Sequence, residues 1–178
     1  MTHELSVTAI GEDRPGVVAA ITGALADLDA NLEDTSMTIL GGRFAMVLIV
    51  DVPDDVGPAE VEAALARPAA DLHLDVSVHA SDPSSTPTDG ARHSVAVYGA
   101  DRPGIVHAVA RALADADVNI TDLATRVVGG SEHPVYAMLL DVTVPAGTDV
   151  EAVEAELRHV AAALGVELSI HPADADIL

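Results

Sequence analysis

The sequence contains no cysteine, no tryptophan and no lysine. Without cysteine there is neither a disulfide framework nor a thiolate metal site. One Phe and two Tyr are the only aromatics, too few to build the platforms on which nucleic-acid bases stack. All eight basic residues are Arg, set against 29 acids for a net charge of −21. The acid is spread along the chain: residues 1–80 carry −11, residues 81–92 carry −1 and residues 93–178 carry −9. Either half would repel a phosphate backbone or an anionic lipid surface, which argues against direct nucleic-acid and membrane partners. The lysine-free, acid-rich bias fits a GC-rich genome or a salt-loving cell equally well. No apolar run approaches the roughly 18 residues of a membrane span. Met1-Thr2-His3-Glu4 lacks the basic region and apolar core of a signal peptide, so a cytoplasmic location is the expectation.

What the chain does have is a core-forming supply of aliphatic residues and a repeated turn. Of 178 residues, 49% are apolar, enough for one large or two small domains. Gly11-Glu12-Asp13-Arg14-Pro15-Gly16 returns as Gly99-Ala100-Asp101-Arg102-Pro103-Gly104. Aligned on this turn, residues 5–42 and 93–130 match without a gap at 18 of 38 positions. Beyond the Gly41-Gly42 and Gly129-Gly130 pairs, Ser131–Pro134 lengthen the second copy. The match then resumes, with Phe44-Ala45-Met46 against Tyr136-Ala137-Met138 and His79 against His171. Residues 1–80 form the first copy and 93–172 the second. A Pro-, Ser- and Thr-rich stretch, 81–92, links them, and 173–178 form a tail.

Hydrophobic periodicity assigns the same elements to each copy. Leu5, Val7 and Ala9 alternate with polar neighbours as a strand does. Val17, Val18, Ile21, Leu25 and Leu28 follow helical spacing, as do Ile105, Val106, Val109 and Leu113. Asn31–Leu40 and Arg43–Val52 read as two strands joined by a Gly-Gly hairpin turn. A second helix starts at Glu60 and is expected to end or break at Pro68. Its counterpart has a capping box at Thr148 and Glu151 and a Gly165 stop. Strands at 75–78 and 167–170 complete βαββαβ, twice, an α+β architecture of two ferredoxin-like domains. Phe44–Val50 is apolar on both faces, whereas a ferredoxin-like sheet has helices on one face only. The other face therefore calls for cover from the other repeat or a second chain, and a homodimer is expected.

The repeated turn holds the chemistry. Pro15 and Pro103 suit a helix start, and the residue before proline prefers extended backbone. Arg14 and Arg102 are therefore expected as N-caps, with Asp13 and Asp101 just outside the helix. Gly16 and Gly104 leave unfilled backbone N–H groups uncovered, a place for a carboxylate, while the Asp beside them suits an ammonium. A free amino acid carries both groups. Asn31 and Asn119 recur at the entry to the next strand, where an amide can both donate and accept. The alternative for each Asn is a left-handed helix terminator, and for the turn a plain helix start.

"DRPGVVAAITGALADLDANLED" and "DRPGIVHAVARALADADVNITD", each inside βαββαβ, resemble the ACT domain, a regulatory amino-acid-binding module. The resemblance covers nearly all of the chain outside linker and termini. Two such domains, with "NLEDTSMTILGGRFAMVLIV" in the first, resemble the glycine-cleavage-system transcriptional repressor family. ACT domains pair side by side, with the helix-start turn of one facing the strand-entry Asn of its neighbour. The resemblance thus implies one pocket from Asp13, Arg14, Gly16, Val17 and Asn119, and another from Asp101, Arg102, Gly104, Ile105 and Asn31. It implies a small amino-acid effector such as glycine or serine and no other cofactor. It also implies a protein partner, either a transcription factor or a metabolic enzyme controlled in trans. Two departures stand out. Asp29 and Asp117 replace a Gly common in the family, and Asp13 and Asp101 replace a frequent Asn.

The eight His residues show no short metal-ligand spacing, and no Gly-x-Ser-x-Gly nucleophile turn is present. A small enzyme on this scaffold would lack a catalytic constellation, so no catalytic residue and no metal ligand is assigned.

Overall fold

The computed structural model describes residues 1–81, 89–129 and 134–173. The expected linker lies largely outside these residues, as do the second hairpin turn at 130–133 and the tail beyond 173. The chain divides into two compact units.

In the first unit the order is β1 (Thr2–Glu12), α1 (Val17–Ala26), β2 (Asn31–Leu40), β3 (Arg43–Pro53), α2 (Pro58–Leu72) and β4 (Leu74–Ala80). In the second it is β5 (Gly90–Gly99), α3 (Ile105–Asp115), β6 (Asn119–Val128), β7 (Val135–Pro145), α4 (Val150–Leu164) and β8 (Val166–Pro172). The sheets run β2-β3-β1-β4 and β6-β7-β5-β8, and every pairing is antiparallel. Each unit is the expected ferredoxin-like βαββαβ.

Alternation decides which side chains fill each core. Leu5, Val7 and Ala9 of β1 and Phe44, Met46, Leu48, Val50 and Val52 of β3 are buried beneath Val17, Ile21 and Leu25 of α1 and Val61 and Leu65 of α2. The second unit repeats this with Val95, Val97, Ile105, Val109, Leu113, Met138, Leu140 and Leu157. The opposite face of each sheet has no helix on it. Ile10 and Val47 are 48% and 47% exposed there, and Tyr98 and Leu139 are 43% and 52% exposed. Along β2 every residue is exposed, because it is an edge strand lying beyond the reach of the helix pair.

Three local expectations are corrected and one alternative is excluded. Pro68 neither ends nor breaks α2, which continues to Leu72. Proline removes one backbone donor there, and a single missing bond near the last turns is outweighed by the packed face of the helix. α4 is capped by Asp149 rather than Thr148, through bonds from the Glu151 and Ala152 amides to Asp149 Oδ1 at 3.0 and 3.2 Å. α1 and α3 start later than the proline suggests: their N-caps are Gly16 and Gly104, with φ of 95° and 94°, and not Arg14 and Arg102. The residue just before each helix lies in the left-handed region, where a side chain is strained and glycine is not. Finally, the left-handed residues after these helices are Asp29 and Asp117, at φ 54° and 56°, so Asn31 and Asn119 are not helix terminators. A short polar side chain tolerates that conformation, which is why Asp can stand where the family often has Gly.

Candidate functional site

β1 delivers the chain to the Asp13–Gly16 turn directly above the hairpin end of the sheet. Gly11 pairs with Phe44 and Glu12 with Arg43, and the Asp13 amide donates to Gly42 O at 3.1 Å. Val17 N donates to Arg14 O at 3.4 Å and Ala20 N to Gly16 O at 2.9 Å. No side chain caps α1 or α3, so the first-turn amides keep unfilled donor capacity at the positive end of the helix dipole. Asp13, Arg14, Gly16 and Val17, all singled out in the sequence, line a cavity of about 430 Å³ with Val18, Ala19, Met37 and Phe44. The second turn has the same backbone, with Ala108 N bonded to Gly104 O at 2.9 Å. Asp101, Arg102 and Gly104 are exposed and Ile105 is buried, as at the first turn.

The two arginines are held from behind. Arg14 Nη2 donates to Glu12 Oε2 at 2.5 Å, and its Nη1 lies 3.4 Å from His73 Nδ1. The hydrogen bond and charge of Arg14 hold the Glu12 carboxyl below the usual carboxylate range. Arg102 has no acid two residues before it and instead donates from Nη1 to Leu164 O at 3.2 Å. In both units the guanidinium reaches the C-terminal end of the second helix, where the dipole favours a cation. Each Arg thereby fastens the turn to the fold.

Asn31 and Asn119 do not join the turn of their own unit. Asn31 opens β2 opposite Asp51, while the turn sits at the far end of that strand. Ten strand residues separate the two ends by about 30 Å. Asn31 is exposed, its Nδ2 donating to Glu33 Oε1 across a bulge between Leu32 and Asp34. Asn119 is likewise exposed, opposite Thr143, ahead of a bulge between Ile120 and Asp122. The sequence reading did not find Val18, Ala19, Met37 and Phe44 as lining residues. Val18 fits the helical core stripe by spacing, yet it is 39% exposed. Met37 stands opposite Met46 and next but one to Ile39, which faces Phe44. That alternation was the available signal. Among the described residues, no group of three or more His, Asp or Glu is placed to hold a metal, and no helix is long and apolar enough to cross a membrane.

The ACT domain sequence profile matches residues 3–79 and again 94–171. The chain belongs to the ACT domain family. It is 27% identical over 172 residues to the glycine cleavage system transcriptional repressor of Escherichia coli, spanning 95% of this chain and 90% of that protein. It is 32% identical over 170 residues to a phosphoserine phosphatase of Mycobacterium tuberculosis, spanning 92% of this chain but 39% of the phosphatase. A crystal structure of a Galdieria sulphuraria protein superposes with a TM-score of 0.86 at 27% identity, covering 97% of this chain and 99% of that one. This tandem ACT protein is thus related to a named repressor and to part of a named enzyme.

Proposed function

We propose that this tandem ACT protein is an amino-acid sensor that acts through a protein partner, as an indirect transcriptional regulator of amino-acid or glycine metabolism. The observation that carries the proposal is the pair of turns. In each, a left-handed glycine leaves the amides of a helix start uncapped, with an aspartate three residues before it, and at the first turn a cavity opens in front. The amides suit a carboxylate and the aspartate suits an ammonium, the two ends of a small amino acid such as glycine or serine. Within one unit the strand-entry Asn stands about 30 Å from the turn along β2. An Asn that enters either pocket is supplied by another ACT unit, as the family arrangement implies. The ligand-contacting set is Asp13, Arg14, Gly16 and Val17 with Asn119, and Asp101, Arg102, Gly104 and Ile105 with Asn31. The fastening of both arginines at the second helix makes them wall residues rather than carboxylate clamps. The resemblance to the E. coli repressor over nearly the whole chain favours transcriptional control, and a net charge of −21 favours an indirect route through protein.

Calorimetry with glycine and L-serine tests this reading. Wild type should bind at least one of them, and combining Asp13→Ala with Asp101→Ala should weaken binding about tenfold or more by removing a charge-assisted bond. Unchanged affinity in a folded double variant rejects the site.

A second reading rests on the phosphatase, in which a segment similar to this chain belongs to a longer enzyme. On that reading the partner is a metabolic enzyme regulated in trans, with the same pocket. Under both readings we propose a homodimer in which a second copy covers part of the helix-free face marked by Ile10, Val47 and Leu139. Sedimentation equilibrium at micromolar concentration should return twice the 18.2 kDa chain mass, and Val47→Asp with Leu139→Asp should return the monomer. A monomeric wild type removes the dimer.

A further inference from the structure

The two turns share their backbone but not their walls. At the first, the side chains beyond the turn are Val18, Ala19, Met37 and Phe44, all apolar and all on the cavity. At the second, the matching positions hold Val106, His107, Thr125 and Tyr136. The correspondence follows from strand register as well as from alignment. Met37 faces Met46 and Ile39 faces Phe44 across the first hairpin; Thr125 faces Met138 and Val127 faces Tyr136 across the second. Three of four wall positions thus change from apolar to hydrogen-bonding, at places adjoining the same acidic turn.

The polar wall lies beside its turn. Tyr136 is 8% exposed; it stands two residues along β7 from Met138, the cross-strand partner of Thr125, and feels the charge of Asp101. Burial, and then the charge of Asp101, lift the phenol above its ordinary range. A phenol both donates and accepts, so the Tyr136 hydroxyl can bond a ligand hydroxyl. Thr125 is exposed on its strand and has capacity of its own. At the first turn Met37, 46% exposed, and Phe44, 1% exposed, offer no hydrogen-bond donor and no acceptor beyond a weak thioether sulfur. A ligand hydroxyl buried against them would lose its water without a replacement bond.

We infer that the two turns select different side chains: the first a small aliphatic amino acid, the second a small hydroxyl-bearing one, with Met37 and Phe44 against Thr125 and Tyr136 setting the choice. This rests on the amino-acid reading above and deepens it. One protein of this kind reports on two metabolite levels rather than one.

L-valine and L-threonine test the inference, because they are nearly isosteric and differ by one methyl-to-hydroxyl exchange. In proton–nitrogen correlation spectra of the full chain, the Gly16 and Gly104 amides report on the turns separately. Gly16 should respond to valine at roughly tenfold lower concentration than to threonine, and Gly104 should show the reverse order, the discrimination such pockets reach being about 10–100-fold. Thr125→Met with Tyr136→Phe should convert the Gly104 response to the valine-first order. Dispersed amide signals of the second unit, such as Val97 and Leu140, in the same spectrum show that this unit remains folded, and the unchanged Gly16 response shows that the first does. The same order at both glycines in wild type, or an unaltered Gly104 order in a folded variant, overturns the inference while the amino-acid reading stands. Silence of both glycines toward all twenty amino acids overturns the two together.

Discussion

Replacing Phe44 by alanine is expected to destabilise the first unit by about 3–5 kcal/mol. Phe44 is 1% exposed and is the chain's one phenylalanine. Its ring closes the top of the core between β3 and α1 and also forms the floor of the turn cavity. Few neighbours can collapse into the space, since Leu48, Val7 and Ile21 are already locked in the same layer. The loss is large against the 5–15 kcal/mol that holds a typical domain together. Phe44→Tyr is the control. Tyr136 occupies the matching place in the second unit, so a hydroxyl is accommodated there and the cost should stay below about 1.5 kcal/mol. Urea titrations followed by circular dichroism measure both. An alanine variant within 1 kcal/mol of wild type would show that the cavity floor is not part of the core.

The second large effect is expected at Gly11. Its backbone faces inward at the crossing of β1 and the start of β4. A Cβ there would lie 2.6 Å from the His73 carbonyl oxygen and 2.6 Å from Leu74 Cδ2. The leucine can turn away, but the carbonyl cannot, because His73 ends α2 in the left-handed conformation at φ 57°. Gly11→Ala should therefore cost about 1–3 kcal/mol, toward the upper end, or roughly 4–20 °C in Tm for a unit of this size. The displaced His73 would also loosen its contact with Arg14, so the turn should open. Gly99 matches Gly11, yet its added Cβ would meet mainly the Val166 side chain, with Cγ1 at 2.7 Å and Cβ at 3.1 Å. Gly99→Ala should be the milder of the two. Equal losses in thermal melts would contradict this account of the crossing.

Duplication and element order were legible in the chain because they rest on short-range chemistry. An alternating run such as Leu5-Ser6-Val7-Thr8-Ala9 can bury one face only as a strand. The spacing of Val17, Ile21 and Leu25 can do so only as a helix, and Gly41-Gly42 marks a hairpin for any partner strand. Asp13 and Asp101 were legible as candidate site residues because the same exposed turn was written twice with its charge intact.

What sequence alone could not settle depended on where the backbone had to go. Whether Arg14 or Gly16 begins the helix is decided by the path from β1 over the hairpin, which forces a positive φ at Gly16. Whether Pro68 breaks α2 depends on how firmly that helix is packed, a sum over contacts distant in sequence. Asn31 looks adjacent to its turn in any alignment, yet one strand length separates them, because β2 runs back to the hairpin before meeting the turn's end of the sheet. The chain by itself determined the two βαββαβ copies and their acidic turns. Only tertiary structure decided the wall around the first of those turns, because Met37, Phe44 and Val18 come from three elements that meet through strand pairing and helix packing.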